Sequence, residues 1–463
     1  PEKVDASKVK EISGFDSEKK CATVELNDGT VYWKGATENI INEVTHYMTE
    51  DGRVIDFTPS EKAKVEEQMV AQAKRTMKLL SVVKITGSQK ILLAVLSLRD
   101  NVRKDAIETV EVLNHAGIQV VMVTGDAEET AVAIAKEAGI LKDEKTEVVL
   151  THDELEQLSD EELKKKLPML RVVSRAKPLD KKRLVTIAQQ LDDVCGMTGD
   201  GVNDAPALKQ ADIGVAMGMT GTEVAKDAAA MVLTDDNFAT IVKAVENGRN
   251  LYQNIKYAIQ FLLSGNFGAI LTVLCSSVAG LPVPFAPVHL LFINLLTDSL
   301  PAIALGLEPD RSEVMSEKPR LADESILTKD FLSKIGLEGL VIGAMTMISF
   351  LTGYNQNGTL LGSTYAFGTL CLARLFHGYN CKSDHPVIFT KGLFHNKWLQ
   401  GAFVLGTVLI TTVLTVPGFH NLFKVETLNL MQLGCVYLYA FASLPIIQLL
   451  KWIRMKLRKR GER

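Results

Sequence analysis

The second half of the chain is dominated by apolar segments that are long enough to cross a lipid bilayer. A helix needs roughly 20 residues to span the hydrocarbon core, and six segments beyond residue 251 approach or exceed that length. These segments are residues 253–279, 287–306, 331–353, 364–381, 398–416 and 430–451. The sequence therefore predicts an all-α bundle of six transmembrane helices.

The charge of the connections predicts how this bundle is oriented. Lys and Arg are concentrated in residues 307–329, 382–397 and 452–463, whereas the other connections are nearly neutral. Positive charge is enriched in the cytoplasmic loops of membrane proteins. We therefore expect a multi-pass protein of the cell membrane, with its soluble region and its C-terminus in the cytoplasm.

The first 250 residues have a soluble composition and show two patterns of secondary structure. Residues 11–33 are predicted to form strands with a hairpin turn at Asn27-Asp28-Gly29, and residues 34–48 a loop that leads into an amphipathic helix. From a strand at 91–98 onward, apolar strands alternate with helices. That alternation is typical of a buried, Rossmann-like parallel sheet in an α/β domain.

The charge balance and the cysteines exclude several classes of partner. The chain has 51 Lys and Arg against 55 Asp and Glu, a formal net charge of −4. It has no Arg/Lys stripe with interleaved aromatics, which argues against a nucleic-acid partner. The six cysteines are scattered without a CxxC pair, as is typical of free thiols in a reducing compartment, and no metal-ligand spacing is apparent.

Two glycine-rich acidic loops follow predicted strands, where open α/β sheets carry their chemistry. One loop is Thr124-Gly125-Asp126, and the other runs from Gly199 to Asp204. Clustered carboxylates require a cation, and Mg²⁺ is the usual one at phosphate sites, while glycine lets backbone N–H groups approach phosphate oxygens. Lys181 is placed to neutralise a transferring phosphoryl group. The alternative is that such loops are ordinary solvated turns.

Three motifs occur in one order: Thr-Gly-Asp at 124–126, Lys-Pro-Leu-Asp-Lys-Lys at 177–182 and Thr-Gly-Asp-Gly-Val-Asn-Asp-Ala-Pro at 198–206. This order resembles the P-type ATPases, cation pumps whose phosphorylation domain has the haloacid-dehalogenase-like fold. The resemblance implies that Asp200 binds Mg²⁺ and that Asp204 supports the phosphorylation site. It also implies that the phosphoryl group is held by Thr124, Gly125, Asp126, Lys181 and Asn203.

Two stretches near the N-terminus are similar to the nucleotide-binding domain of the same pumps. Residues 15–20 resemble its Phe-x-x-x-x-Lys stretch, and residues 34–38 resemble its Lys-Gly-Ala-x-Glu motif. Phe15 would stack on adenine, although a lone Phe is more often a core residue. The resemblance implies ATP-binding roles for Phe15, Lys20, Lys34, Gly35, Arg75 and Arg175. A further motif of the phosphorylation domain is matched by Asp100 and Arg103.

Polar residues interrupt the second apolar segment. Asn294 and Asp298 are four residues apart, so on a helix they share one face, with Thr297 beside them. An Asp inside the hydrocarbon is costly and marks an ion pathway by default, and Pro301 would leave a backbone carbonyl free. Carboxylate, amide and carbonyl oxygens suit Ca²⁺, and Asn266 in the preceding segment is a further candidate ligand. The alternative is a structural polar cluster that joins helices.

The stretch at 294–309 is very similar to Ca²⁺ pumps of the sarco/endoplasmic-reticulum type, which hold two Ca²⁺ ions, and the sequence LARLFHGYNCKSD looks more like bacterial Ca²⁺ pumps. The resemblance places a second-site Glu at the position of Ala269 and, more loosely, an acidic ligand near Asp384. Arg374 is predicted to stand in place of the second ion, paired with Asp298 or Asp384. The alternative is that Arg374 snorkels to the lipid interface.

Several parts of the resembled pumps have no counterpart in this sequence. They are the nucleophilic Asp-Lys-Thr-Gly-Thr motif, the Thr-Gly-Glu loop of the actuator domain and the first four membrane helices. We therefore expect the chain to be the C-terminal half of a Ca²⁺ pump, inactive by itself. The expected parts are the end of the nucleotide-binding domain at 1–84, the end of the phosphorylation domain at 85–245, membrane helices five to ten at 246–455 and a basic tail at 456–463.

The resemblance implies export of Ca²⁺ through an aspartyl-phosphate, with protons moved in return, and the departure at Ala269 together with Arg374 predicts one Ca²⁺ per ATP rather than two. It implies ATP and Mg²⁺ as cofactors, and the lipid bilayer and the missing N-terminal half as partners. Three alternatives stay open from the residues alone. They are the same pump moving Mn²⁺ or a monovalent cation, a membrane-tethered phosphohydrolase without transport, and a channel-like or scaffold protein with a degenerate nucleotide fold.

Overall fold

The computed structural model describes residues 6–16, 21–73, 77–98, 102–309, 311–387 and 390–461. The chain divides into two compact units. Residues 1–242 with 316–322 form the first unit, and residues 243–315 with 323–463 form the second. The first unit holds all of the described strands, and the second holds the long apolar helices.

The N-terminal part of the first unit is a seven-stranded sheet in the order β1-β2-β3-β6-β7-β4-β5. The pairings are antiparallel except that of β4 with β7. The strands are β1 (Val9–Asp16), β2 (Cys21–Leu26), β3 (Val31–Ala36), β4 (His46–Met48), β5 (Val54–Asp56), β6 (Lys78–Thr86) and β7 (Gln89–Leu98), with helices α1 (Thr37–Ile40) and α2 (Pro59–Ala73). Apolar side chains from α1 and the central strands form its core, among them Ile40, Val83 and Leu92.

The turn predicted between β2 and β3 is confirmed. Gly29 has φ +80, which a residue with a Cβ rarely adopts. Asp28 accepts a hydrogen bond from the Thr30 backbone N–H at 2.9 Å, as Asp does in tight turns. The turn thereby sets the register of the hairpin, in which Val24 pairs with Tyr32.

Two predictions in this region were wrong. The strand expected to open the strand–helix alternation, β7, instead pairs antiparallel with β6 and belongs to the first sheet, so the change of architecture falls after Leu98. Residues 37–48 contain only the four-residue helix α1 and strand β4 rather than an amphipathic helix. Here pairing of β4 with β7 outweighs the local helical pattern.

The rest of the first unit contains two parallel sheets of three strands. One has the order β8-β10-β9 and the other β11-β12-β13. The strands are β8 (Met122–Val123), β9 (Val148–Thr151), β10 (Leu170–Ser174), β11 (Gly196–Gly199), β12 (Ile213–Met217) and β13 (Met231–Leu233). The helices are α3 (Lys104–His115), α4 (Glu128–Glu137), α5 (His152–Gln157), α6 (Asp160–Lys166), α7 (Pro178–Gln190), α8 (Ala205–Gln210) and α9 (Glu223–Ala228). The predicted parallel pairing is confirmed, and β9 and β13 were not predicted.

The second unit is built of helices. They are α10 (Ala239–Val278), α11 (Pro287–Phe292), α12 (Ser299–Gly306), α13 (Lys329–Cys381), α14 (Lys397–Thr415), α15 (His420–Phe423) and α16 (Leu430–Gly461). A π-helix, Ile293–Asp298, joins α11 to α12. Five helical stretches of the described residues are long and apolar enough to cross a membrane: Ala239–Val278, Pro287–Gly306, Lys329–Cys381, Lys397–Thr415 and Leu430–Leu457.

Helix α13 is broken at residues 357 and 358. Asn357 (φ −151, ψ 35) and Gly358 (φ 73, ψ −159) are both non-helical. The two halves pack side by side and run antiparallel. Ser349 Oγ of the first half lies 2.6 Å from Thr369 Oγ1 of the second half. Two of the predicted membrane segments, 331–353 and 364–381, therefore correspond to the two arms of one helical hairpin.

Candidate functional site

Hydrogen bonds tie the loop after β8 to the loop after β10. Thr124 Oγ1 donates to Asp126 Oδ2 and accepts from the Asp126 backbone N–H, both at 3.1 Å. The backbone N–H of Arg175 donates to the Asp126 carbonyl, and that of Ala176 donates to the Thr124 carbonyl, both at 2.9 Å. Arg175, which donates one of these backbone hydrogen bonds, has a positive φ of 50. The Thr-Gly-Asp motif is thus held in one conformation at the carboxyl end of its sheet.

The loop after β11 is organised around the buried carboxylate of Asp204. Its Oδ2 accepts from the backbone N–H groups of Asp200 at 3.2 Å and Gly201 at 3.1 Å. Its Oδ1 accepts from Lys181 Nζ at 2.6 Å, which brings α7 to this loop. A Cβ on Gly199 would lie 2.5 Å from the Asp204 Cβ, so only glycine fits at that position.

These bonds also set the charge of Asp204. Burial by itself would raise the pKa of this carboxyl, but the hydrogen bond from Lys181 and those from the Gly201 and Asp200 backbones outweigh it, and the net pKa is lowered. Asp204 is therefore ionised at neutral pH. It positions the Lys181 ammonium and the acidic loop.

The remaining polar residues of this loop are exposed. The side chains of Asp200 and Asn203 face solvent, while the Asp200 backbone carbonyl accepts from the Thr222 N–H at 2.8 Å. An exposed carboxylate on a loop held by backbone bonds fits Mg²⁺, which prefers oxygen ligands and keeps several waters. The two motif loops belong to different three-stranded sheets, so the convergence of Asp126, Asp200 and Asp204 stays a prediction.

The predicted nucleotide-binding residues are only partly described. Lys34 is exposed on β3, and Gly35 is buried between Cys21 of β2 and Ser81 of β6. Arg103 precedes α3 and pairs with Asp105 at 2.9 Å. The residues Lys20, Arg75 and Asp100, and the side chain of Phe15, lie outside the described part of the structure. A shared ATP site stays a prediction.

The second unit, which contains the long apolar helices, buries an ion pair between Asp298 and Arg374. Arg374 Nη2 lies 2.9 Å from Asp298 Oδ2, and the two side chains are 1% and 4% exposed. The same Nη2 donates to Asn266 Oδ1 at 2.9 Å. A Cβ on Gly265 would lie 2.3 Å from Arg374 Nε, so the absence of a side chain there makes room for the guanidinium. Arg374 therefore points into the bundle, as predicted, and does not snorkel.

Two of the predicted membrane ligands are not beside the ion pair. Asp298 is buried but Asn294, four residues earlier in the π-helix, is exposed, and a ligand role for Asn294 stays a prediction. Asp384 is not at the ion pair. It lies in the loop after α13, where Lys334 Nζ is 2.5 Å and Gln253 Nε2 is 3.0 Å from its carboxylate.

The oxygen atoms around Asp298 fit a hard cation in part. Thr297 is buried and its hydroxyl donates to the Ile293 carbonyl at 3.0 Å. Asp298 Oδ1 is buried and has no hydrogen-bond partner among the residues that the structure describes. An unpartnered buried carboxylate oxygen is costly unless a ligand or a proton satisfies it. Ala269, at the predicted position of a second-site acid, is half-buried against the apolar core.

A second buried polar cluster was missed by the sequence analysis. Glu338, His377 and Cys381 lie together inside the helical unit, with ligand atoms within 4.8 Å of one another. The four-residue spacing of His377 and Cys381 places them on one helical face. That spacing was the available signal, but Glu338 is 39 residues away from His377 and only the α13 hairpin brings it there.

Two family models match the chain. Residues 28–212 match the haloacid dehalogenase-like hydrolases, and residues 282–453 match the C-terminus of cation transporting ATPases.

Curated relatives match across nearly the whole chain. A calcium-transporting ATPase of Bacillus cereus is 38% identical over 468 residues, which cover 94% of this chain and 52% of the relative. One of Bacillus subtilis is 37% identical over 88% of this chain and 48% of its own length. One of Saccharomyces cerevisiae is 33% identical over 97% and 49%. The chain thus spans about half the length of these relatives.

Proposed function

We propose that the chain belongs to the P-type cation-transporting ATPases, as the two family matches and the relatives support, and that it is the C-terminal half of an ATP-driven Ca²⁺ pump. The intact pump exports Ca²⁺ from the cytoplasm through an aspartyl-phosphate intermediate. The observation that carries the proposal is the buried carboxylate of Asp298. Among the described residues its Oδ1 has no hydrogen-bond partner, and it lies in a helical stretch that is long and apolar enough to cross a membrane. A membrane-tethered phosphohydrolase would have no use for that carboxylate.

In the soluble unit, the motif loops would hold the transferred phosphoryl group. Mg²⁺ bound with ATP would neutralise charge on the phosphate oxygens, and the exposed Asp200 would hold it. Lys181 would add a positive charge to the phosphoryl group, positioned by its 2.6 Å bond to Asp204. The Thr124 and Asp126 loop would bind the phosphoryl oxygens from the other sheet, and Asn203 would do so from the Asp204 loop. The nucleophilic Asp would come from the half of the pump outside this chain.

In the membrane unit, we take the two arms of the α13 hairpin to be separate crossings, so that the unit contributes six membrane helices. The basic connections then place the soluble unit and the C-terminus in the cytoplasm. The exposed side of the π-helix, which carries Asn294, would face the membrane helices of the missing half. Asn294 would complete the Ca²⁺ site with Asp298, Thr297 and Asn266.

Arg374 sets the stoichiometry of this site. Its guanidinium is bound to both Asp298 and Asn266 at 2.9 Å, and Ala269, where a second acidic ligand would stand, follows Asn266 by three residues on the same helix. A fixed positive charge 2.9 Å from the oxygen atoms of Asp298 and Asn266 repels a second divalent cation in a medium of low dielectric. We therefore expect one Ca²⁺ per ATP. Protons would move in return.

Equilibrium binding of ⁴⁵Ca²⁺ to the intact pump tests the proposal. We expect saturation near one ion per phosphorylation site, and loss of binding in Asp298→Asn. A value near two would reject the role given to Arg374, and unchanged binding in Asp298→Asn would reject the ion site. Stimulation of ATP hydrolysis by Mn²⁺ or a monovalent cation in place of Ca²⁺ would favour the same pump acting on another ion.

A further inference from the structure

The cluster of Glu338, His377 and Cys381 is independent of the proposed Ca²⁺ site. Glu338 is on the first arm of α13, and His377 and Cys381 are on the second. Their side chains are 3%, 0% and 0% exposed, and Gln260 of α10, beside them, is 0% exposed. Three helical segments thus bring a carboxylate, an imidazole, a thiol and an amide to one enclosed point.

The spacing of these groups is that of a tetrahedral metal site. His377 Nε2 lies 3.1 Å from Cys381 Sγ and 3.6 Å from Glu338 Oε2. With metal–ligand bonds of about 2.0–2.3 Å, two ligand atoms at a tetrahedral ion are about 3.4–3.5 Å apart. The observed separations are within a few tenths of an ångström of that value, so the three atoms can bind one ion with small side-chain adjustments.

Two oxygen atoms of the cluster have no hydrogen-bond partner. Gln260 Nε2 donates to Glu338 Oε2 at 2.6 Å, but Gln260 Oε1 and Glu338 Oε1 are both buried without a partner. Buried oxygens are nearly always satisfied, and exceptions indicate an ion, a water or a functional role. Gln260 Oε1 is therefore a candidate fourth ligand.

The charges of the cluster point to a divalent cation. The nearby lysines are used elsewhere: Lys334 pairs with Asp384, and Lys451 donates to the backbone carbonyls of Asn380 and Ser383. Among the described residues, Glu338 is within ion-pair distance of His377 and of no lysine or arginine. A buried carboxylate and a thiolate together carry two negative charges, which one divalent ion neutralises.

We propose that Glu338, His377 and Cys381 form a binding site for a borderline transition-metal ion of the Zn²⁺ class, with Gln260 as the fourth ligand. Thiolate and imidazole select Zn²⁺, Cd²⁺ or Co²⁺ over Ca²⁺ and Mg²⁺, which require oxygen ligands. Such an ion would link α10 to both arms of α13. Because Ser264, whose hydroxyl lies 2.7 Å from His377 Nε2, directly precedes Gly265, the bound ion would restrain the helix that holds Arg374.

The site also has a route to the exposed surface. Lys334 lies one turn before Glu338 on α13, and Gln253 lies two turns before Gln260 on α10. Both bind Asp384, whose side chain is 51% exposed. Polar side chains on α10 and α13 thus continue from the level of the cluster to an exposed ion pair, Lys334 with Asp384.

Metal titration of the purified 463-residue chain in detergent, after chelator treatment, tests the proposal. Co²⁺ should produce a thiolate-to-metal charge-transfer band in the near ultraviolet, which Zn²⁺ removes at one ion per chain and a large excess of Ca²⁺ does not. Zn²⁺ should also raise the Tm. Absence of the band, or its loss on adding Ca²⁺, would overturn the proposal, since the cluster would then be only a hydrogen-bonded or protonated network.

Variants assign the ligands. Cys381→Ser and His377→Asn should each weaken Zn²⁺ binding by at least about 100-fold, more than loss of an outer-shell partner, and Glu338→Gln by about 10–100-fold. Cys371→Ser is the matched control, because Cys371 is equally buried on the same arm of α13 but lies outside the cluster. The Zn²⁺-induced rise in Tm should persist in the control and vanish in Cys381→Ser. Equal binding in all four variants would reject the site.

Discussion

At the scale of single residues, glycine positions decide whether the acidic loop can close on Asp204. Gly199→Ala would place a methyl group 2.5 Å from the Asp204 Cβ and 2.9 Å from its Oδ2. We expect this variant to lose about 1–3 kcal/mol of stability, as in other overpacked sites. Gly201→Ala is the control, because its nearest atom would be 3.6 Å away. Thermal unfolding combined with limited proteolysis of the soluble unit measures the stability of both variants. Equal losses of stability in the two variants would contradict the steric explanation.

The ionised state of Asp204 predicts a pH dependence. Because the folded-state pKa is lowered, the carboxylate stabilises the fold fully above its ordinary pKa of about 3.9, and this contribution is lost as the pH falls through the lower folded value. Asp204→Asn should be less stable than the unchanged chain at pH 7. The difference should shrink below about pH 4. A difference in stability that is constant down to pH 2 would show that the charge of Asp204 is not the cause.

At the scale of helices, the packing of α10 against α13 depends on a glycine that faces an arginine. Gly265→Ala would drive a methyl group into the Arg374 guanidinium, 2.3 Å from Nε. Because Arg374 is paired with Asp298 in the interior, we expect displacement of the pair and a loss of about 3–5 kcal/mol. Gly401→Ala on α14, with nothing within 4 Å, should be neutral. Thermal unfolding in detergent compares the two, and an unchanged Tm in Gly265→Ala would contradict the close approach.

The break in α13 depends on a backbone conformation that glycine alone tolerates. Gly358 has φ 73 and ψ −159, a region that is essentially limited to glycine. Gly358→Ala should therefore lower the stability of the helical unit by about 1–3 kcal/mol. Gly336→Ala, on the same helix with nothing within 4 Å, should be neutral or slightly stabilising, since Ala favours helix. A Gly358→Ala variant as stable as Gly336→Ala would mean that the turn relaxes without strain.

At the scale of the whole molecule, the chain contains the motif loops proposed to hold a phosphoryl group but no Asp-Lys-Thr-Gly-Thr motif. We expect the 463-residue chain to form no acid-stable phosphoenzyme from [γ-³²P]ATP. The intact pump should form one, and Asp200→Asn in that pump should abolish Mg²⁺-dependent phosphorylation while leaving ⁴⁵Ca²⁺ binding nearly unchanged. Acyl-phosphate recovered from the 463-residue chain alone would show that a nucleophile lies within it.

Local chemistry was sufficient wherever one segment determines its own structure. The membrane helices follow from length and hydropathy, and the β2–β3 turn follows from the tolerance of Gly29 for positive φ. The motif loops lie at strand ends because their flanking apolar runs form parallel strands. The same reasoning was wrong for β7, which forms a hairpin with the neighbouring strand β6 rather than joining the parallel strands.

Only the tertiary structure decided which polar groups meet inside the helices. The residues of the Asp298–Arg374 pair are 76 positions apart, and Gln260 is 78 residues from Glu338. Periodicity assigns a residue to a face of its helix but carries no information on which other helix covers that face. Gly358 permits the break in α13, but only the packing of the two arms brings Glu338 to His377. The sequence by itself therefore determined the apolar helices and the positions of the motif loops at strand ends, whereas the buried charge pairs depend on contacts between distant segments.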